Sequence, residues 1–195
     1  MTSRPVIVHL IGYPGAGKYT VARHIARLAA DDGRRYVVLD NHHTSNVIFA
    51  VLEVDGVRPI AREVWDRVGD VREVLYRTIE DMSPREWSFV FTNVLTDGEP
   101  TDEAIVRRIA ELAVARQIPY VPVRLVCARD EILRRVTNAD RHERLKWIDP
   151  GAVGAFIDEH QLIEVDGHPL LQVDVTARPP DDTARLILAH IDSLD

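Results

Sequence analysis

Apolar runs of strand length alternate along the chain with stretches in which apolar residues recur every three or four positions. The runs lie at 5–11, 36–39, 88–95, 120–127 and 170–175. The periodic stretches lie at 18–30, 46–52, 59–81, 101–116, from 130 onwards, and at 180–194. Strands separated by helices favour an α/β fold built on a parallel sheet. We therefore predict one three-layer α/β/α domain over residues 1–195, with a five-stranded parallel sheet.

The composition limits the classes of protein that fit this pattern. The chain has 195 residues, of which 46% are hydrophobic, and its net charge of −7 argues against a nucleic-acid partner. A single cysteine, Cys127, excludes an intramolecular disulfide and a cysteine-based zinc site. The N-terminus lacks a signal-peptide pattern, and the first apolar run is too short to cross a bilayer. We expect a cytoplasmic protein that binds no membrane.

The strongest local signal lies between the first predicted strand and the first predicted helix. There the sequence reads Gly-Tyr-Pro-Gly-Ala-Gly-Lys-Tyr-Thr over residues 12–20. This is the spacing and the context of a P-loop, in which glycines let the backbone curl around phosphate and a lysine reaches the β- and γ-phosphates. We therefore predict a nucleotide-binding loop formed by Tyr13, Pro14, Gly15, Ala16, Gly17, Lys18, Tyr19 and Thr20.

One residue departs from the P-loop pattern. The position after the lysine usually carries a serine or threonine whose hydroxyl binds Mg²⁺, but here it is Tyr19. A phenol is too long to replace that hydroxyl from the same backbone position. We expect weakened or altered metal binding rather than its loss; the alternative is a protein that binds nucleotide but turns it over poorly.

With these elements placed, the chain resembles small P-loop kinases of the shikimate kinase, adenylate kinase and chloramphenicol phosphotransferase type. The resemblance covers nearly the whole chain in element order, but only the phosphate loop is motif-specific. It implies the P-loop nucleoside-triphosphate hydrolase fold with a helical lid at about 134–148. It also implies ATP and Mg²⁺ as cofactors, and a small-molecule acceptor bound by a region at about 41–82.

The resemblance also suggests which residues face the acceptor. Asp40 matches an acidic residue at the end of the second strand, where it would hold Mg²⁺ through water or take the acceptor's proton; the alternative is a strand-end cap. Next to it, Asn41, His42 and His43 would meet the acceptor, although the two histidines fit a solvent-exposed position equally well. Asn93 ends the third predicted strand and can position water or substrate, but it cannot act as a base.

Basic residues follow the fourth predicted strand, in the region that forms the lid in the resembled kinases. Guanidinium groups match phosphate oxygens, so Arg134 would bind the nucleotide, and Arg135 and Arg141 would stabilise the transferred charge. The cluster also contains Arg144 and Lys146. Its alternative is a solvated helix with internal salt bridges. Arg178, after the last predicted strand, would stack on the nucleotide base or simply begin the last helix.

These residues together favour an ATP-dependent kinase that transfers a γ-phosphoryl group to a hydroxyl or phosphate of a small molecule. Its catalytic residues would be Lys18, Asp40, Arg135 and Arg141. The alternative from another class is a nucleotide-binding switch without an acceptor, which Tyr19 and the missing acid after the third strand motivate. The sequence leaves the acceptor and the oligomeric state open.

Overall fold

The fold is taken from a computed structural model that describes residues 4–54, 60–138 and 147–194. Five strands and seven helices lie within these residues. The strands are β1 (Ile7–Ile11), β2 (Tyr36–Asp40), β3 (Ser88–Asn93), β4 (Tyr120–Val126) and β5 (Leu171–Asp174). The helices are α1 (Lys18–Asp31), α2 (Asn41–Val51), α3 (Arg62–Met82), α4 (Pro100–Arg116), α5 (Arg129–Val136), α6 (Pro150–Glu159) and α7 (Pro180–Asp192).

The five strands form one sheet in the order β2-β3-β1-β4-β5, and every neighbouring pair is parallel. All five residues of the central strand β1 are buried, as expected for a strand that is covered on both faces. The register pairs Ile11 with Asn93 and Asp40 with Thr92. The carboxyl ends of β1, β2 and β3 therefore lie together at one edge of the sheet.

Alternate residues of the strands pack into two separate cores. On one face, Val8 and Leu10 of β1 pack with buried residues of α1 and α7. On the other face, Ile7 and Ile11 pack with buried residues of α3 and α4. The prediction of a three-layer α/β fold with a five-stranded parallel sheet is confirmed.

Three element predictions need correction. The helix after β2 begins at Asn41, not at residue 46, because the Asp40 carboxylate caps it at the strand end. β3 ends at Asn93, not at residue 95, since the backbone of Leu95 bonds to Ile163 outside the sheet. The sequence also missed α6, whose start carries Pro150 directly after the capping side chain of Asp149.

Within the described ranges, no helix is both long enough and apolar enough to cross a bilayer.

Candidate functional site

The loop between β1 and α1 has the backbone that its glycines allow. Gly15 and Gly17 have φ values of +88° and +86°, a region that L side chains rarely adopt. A Cβ on Gly12 would lie 3.0 Å from the carbonyl oxygen of Leu125, so the loop passes close to β4. Gly17 is the N-cap residue directly before α1, and among the described residues no side chain caps this helix start. An anionic ligand at this helix start would meet the N–H groups of its first turn.

Two helices hold this loop from the side. A Cβ on Gly15 would lie 3.1 Å from the carbonyl oxygen of Ile132 and from a methyl group of Val136, so α5 packs directly against the loop. The Tyr13 hydroxyl donates a hydrogen bond of 2.7 Å to the carbonyl oxygen of His160, just after α6. The side chain of Tyr13 thus anchors the loop, and only its backbone is left to bind phosphate.

The Lys18 ammonium folds back over the loop. Its Nζ donates hydrogen bonds to the carbonyl oxygens of Gly12 at 2.6 Å and Tyr13 at 2.9 Å. This places the positive charge inside the curl of the loop, at the start of α1.

A cleft of about 1720 Å³ opens in front of the loop at the carboxyl edge of the sheet. Lys18 lines it from the start of α1, and Asp40 and Asn93 line it from the ends of β2 and β3. Trp65 and Arg72 line it from α3, and so fall inside the predicted acceptor region. Phosphate loop, strand ends and α3 therefore share one cavity.

Tyr19 and Thr20 differ in their surroundings. The Tyr19 ring is half-buried and meets the ring of His43 edge-on, with the centroids 6.4 Å apart. The Arg23 guanidinium carbon lies 6.0 Å from the Tyr19 ring centroid. Thr20 is exposed. An aromatic ring thus occupies the place where the P-loop pattern calls for a small hydroxyl.

Asp40 caps the next helix and also lies at the cleft. Its Oδ1 accepts a hydrogen bond of 2.9 Å from the backbone N–H of His42, and so caps α2. The residue is 6% exposed and lines the cleft beside its register partner Thr92. The capping function is therefore real, and it holds the carboxylate at the cleft.

The three residues after Asp40 face different ways. Asn41 and His42 line the cleft, whereas His43 is exposed and contacts Tyr19. The Nδ1 of His42 lies 3.3 Å from Oδ1 of Asn46 in the next helical turn. The structure thus brings two of the three predicted acceptor residues to the cleft and places His43 at its outer side.

Asn93 belongs to a chain of polar side chains that begins in the core. Its Oδ1 lies 3.0 Å from Nε2 of His9, and its Nδ2 donates to Oδ1 of Asn41 at 3.4 Å. Arg72 donates to the same Asn41 oxygen at 3.2 Å. His9 is fully buried, and this desolvation lowers its pKa to about 4, so the imidazole is neutral near pH 7.

The two described arginines of the predicted lid lie in the last turn of α5. Arg135 Nη2 donates to the carbonyl oxygens of Val175 and Thr176, both at 2.9 Å, and its Nη1 lies 3.9 Å from the position of a Cβ on Gly17. Arg134 is exposed and forms two hydrogen bonds of 2.7 Å with Glu131. Hydrogen bonds from both arginines lower the pKa of the Glu131 carboxyl to about 2.

Arg135 is therefore fixed against the sheet edge beside the phosphate loop rather than carried on a projecting segment. The other predicted lid residues, Arg141, Arg144 and Lys146, lie outside the described residues.

A second, smaller cavity of about 240 Å³ lies on the other side of the loop. Arg178 lines it together with Thr20, Arg134 and Thr183. The Nε of Arg178 donates to the carbonyl oxygen of Asp174 at 3.3 Å, which fixes the segment between β5 and α7.

Several cleft residues were missed by the sequence reasoning. They are Arg72 and two aromatic pairs with edge-on rings, Phe49 with Trp65 and Trp147 with Phe156. Trp65 and Arg72 are seven positions apart, which places them on one face of a helix, and this spacing was the available signal. The pairing of Trp147 with Phe156 had no such signal, because α6 itself was missed.

Metal-binding groups are sparse in the described part of the chain. No group of three or more histidine, cysteine, aspartate or glutamate side chains there is arranged to hold a metal ion. Asp40 is the carboxylate at the ends of the first three strands.

Comparison with known proteins shows the fold. No family model matches the chain, and no curated protein is significantly similar to it. Among solved structures, a proposed kinase from Chloroflexus aurantiacus aligns with 99% of both chains at 18% identity and a TM-score of 0.68.

Two kinases solved with bound small molecules align over similar lengths. The APS kinase CysC of Mycobacterium tuberculosis, solved with AMPPNP and APS, aligns with 96% of this chain and 97% of its own at 15% identity and a TM-score of 0.57. Shikimate kinase from Acinetobacter baumannii, solved with shikimate, aligns with 100% of this chain and 96% of its own at 18% identity and a TM-score of 0.54. At this identity the likeness shows the fold alone, one that this chain shares with these kinases.

Proposed function

We propose that the protein is an ATP-dependent phosphotransferase that acts on a small-molecule acceptor. One observation carries the proposal: the P-loop and Lys18 open into the same cleft that reaches Asp40 and α3. A loop that binds only a nucleotide needs no such second compartment. The kinase-like fold of the solved neighbours supports the same class of reaction.

The triphosphate would lie in the loop. The N–H groups at the start of α1 and the Lys18 ammonium would bind its oxygens, and Lys18 would exchange its two carbonyl partners for phosphate. The base would occupy the smaller cavity next to Arg178 and Thr183. Arg135, whose Nη1 faces Gly17, would stabilise the charge that develops during transfer.

Asp40 would serve the acceptor and the metal. Mg²⁺ commonly binds to one or two carboxylates, keeps several waters and takes the remaining oxygens from phosphates, so a single carboxylate fits it. Tyr19 supplies no hydroxyl at the usual place, so Asp40 would hold Mg²⁺ through water. When bound, the ion neutralises charge on the phosphates. The acceptor would lie between Asp40 and α3.

A nucleotide-binding switch without phosphotransfer is the second candidate, because Tyr19 replaces the usual metal ligand. It predicts nucleotide binding at the same loop, but no acceptor-dependent loss of γ-phosphate. A screen of small hydroxyl compounds and phosphates for acceptor-dependent ADP release separates the two functions.

The first test concerns Lys18. At a concentration of 100 times its Kd, AMP-PNP should stabilise the wild-type fold by about 2.7 kcal/mol. For a domain of this size that raises Tm by about 5 to 10 °C. Lys18→Ala should abolish the rise, because the variant loses the ammonium that binds the phosphates.

Arg107→Ala is the matched control, since it removes one positive charge from an exposed position of α4. It should keep the full increase in Tm. An equal increase in the Lys18→Ala variant would refute the proposed nucleotide site.

A further inference from the structure

A buried imidazole lies under the acceptor side of the cleft. His9 is 0% exposed in the centre of β1. Its Nδ1 lies 2.8 Å from the Tyr120 hydroxyl and its Nε2 lies 3.0 Å from Oδ1 of Asn93. Burying a polar ring in a sheet core is costly unless both nitrogens are hydrogen-bonded. The proposed phosphotransfer chemistry does not by itself require a histidine there.

The direction of each hydrogen bond follows from the partners. The carbonyl oxygen of Asn93 can only accept, so Nε2 of His9 carries the proton and Nδ1 accepts from Tyr120. The opposite orientation of the Asn93 amide would place its oxygen against Oδ1 of Asn41, oxygen to oxygen. The hydrogen bonds therefore all run in one direction, from Tyr120 through His9 and Asn93 to Asn41.

Asn41 is the last residue of this series of hydrogen bonds and lies at the wall of the cleft. Its Oδ1 accepts from Asn93 Nδ2 and from Arg72 Nη2, which occupies both lone pairs. The Asn41 amide nitrogen has no acceptor among the described residues, and both Asn41 and Arg72 line the cleft. The two N–H groups of Asn41 and the Arg72 guanidinium thus form a cluster of donors.

We propose that His9 is a positioning residue that orients Asn41 and Arg72 to bind an oxygen-bearing group of the acceptor, such as a carboxylate, a phosphate or a hydroxyl. This inference rests on the proposed function, because it assigns a ligand to the acceptor compartment. The N–H groups of Asn41 and Arg72 can only donate hydrogen bonds, so they cannot bind an ammonium group. Positively charged phosphoryl acceptors are therefore disfavoured at this end of the cleft.

Inorganic phosphate is the probe, and saturating AMP-PNP with Mg²⁺ keeps it out of the P-loop. Trp65 and Trp147 line the cleft, so tryptophan fluorescence reports occupancy. His9→Phe should weaken phosphate binding about tenfold, the effect of one misdirected charge-assisted hydrogen bond. The affinity for AMP-PNP should not change.

His9→Gln is the rescue variant, because its amide nitrogen can donate to Asn93 as Nε2 does. It should bind phosphate within about threefold of wild type. Val8→Ala is the matched control: Val8 is also buried in β1 but faces the α1 and α7 core. It should lose stability and keep phosphate binding. If His9→Phe does not fold, Tyr120→Phe takes its place, and it should weaken phosphate binding while AMP-PNP binding stays intact.

The outcomes separate this inference from the proposed function. Failure of AMP-PNP to bind the wild-type protein would overturn the proposed function. Normal AMP-PNP binding with no phosphate binding, or with equal phosphate affinity in wild type and His9→Phe, would overturn the inference alone. Equal weakening in Val8→Ala and His9→Phe would also overturn it, because loss of stability would then explain the effect.

Discussion

Tyr19 separates this chain most clearly from the usual P-loop. Its ring lies beside His43 and Arg23, at the position from which a shorter side chain would reach the metal. A phenol held in this way gives Mg²⁺ no inner ligand from α1. Under the proposed function, Asp40, water and the nucleotide would then bind the metal.

Tyr19→Thr should restore the missing ligand. We expect Mg²⁺ to strengthen ATP binding about three- to tenfold more in this variant than in wild type, equivalent to roughly 1 kcal/mol. Kd values for ATP with Mg²⁺ and with EDTA measure the effect. Tyr19→Phe keeps the ring and should behave as wild type, and an unchanged Mg²⁺ ratio in Tyr19→Thr would contradict the prediction.

At the scale of elements, the start of α2 and the phosphate loop each combine a structural role with a proposed chemical one. Asp40 ends β2, caps α2 and lines the cleft. Gly15 allows the loop to curl, and its lack of a side chain lets α5 pack against the loop. In both places a substitution can be chosen that separates the two roles.

Asp40→Asn keeps the cap and removes the charge, because asparagine is as good an N-cap as aspartate. Its free energy of unfolding should stay close to wild type, whereas turnover should fall about 100-fold or more if the carboxylate acts as a base. Asp40→Ala should lose about 1 kcal/mol of stability as well. Urea unfolding and ATP turnover measure the two effects, and unchanged turnover in Asp40→Asn at saturating Mg²⁺ would remove Asp40 from catalysis.

Gly15→Ala and Gly33→Ala form a matched pair, since both glycines have positive φ values. At Gly33 nothing lies within 4 Å of an added Cβ, so only backbone strain of about 1 kcal/mol is expected. At Gly15 the Cβ also meets Ile132 and Val136, which adds about 1 to 3 kcal/mol and displaces α5 or the loop. Only Gly15→Ala should weaken AMP-PNP binding; equal binding by the two variants would contradict this.

The sequence predicted the elements best where local pattern and burial agree. The apolar runs of β1 and β4 and the glycine spacing of the loop are local signals, and the structure contains all three. The direction in which a side chain points is not determined by the local sequence. Asn93 was recognised as a polar strand end, but its hydrogen-bond partners His9 and Asn41 come from other elements. The same holds for Arg135, whose hydrogen bonds to the segment after β5 join residues 40 and 41 positions apart.

At the scale of the molecule, the two cores on either side of the sheet differ in chemistry. The α1 and α7 side is mostly aliphatic and includes Tyr36, while the α3 and α4 side contains His9 and the Tyr120 hydroxyl. Burial raises the pKa of Tyr120 and lowers that of His9, so both groups are neutral in the folded protein. Global stability therefore depends on pH through a residue far from the surface.

Acidification should destabilise the fold through His9. Its pKa is about 4 when folded and 6.5 when unfolded, so between these values the unfolded state binds more protons and stability falls as pH falls. From pH 7 to pH 5 the loss should be about 2 kcal/mol. Urea unfolding at both pH values measures it; His9→Gln lacks the titrating group and should lose about 2 kcal/mol less. Equal losses in the two proteins would show that His9 does not contribute.

The order β2-β3-β1 has a consequence for how such a cleft can diverge. β3 lies between β1, which leads into the phosphate loop, and β2, which ends in Asp40. Neighbouring strands lie about 4.8 Å apart, so the two strand ends are about 10 Å apart in any protein with this sheet. Point substitutions or loop insertions cannot alter that separation without breaking the sheet. Under the proposed function, a change of acceptor size would therefore have to be accommodated by α3 and α6, so the search for mutations that broaden or narrow substrate range should begin at Trp65, Arg72 and Phe156.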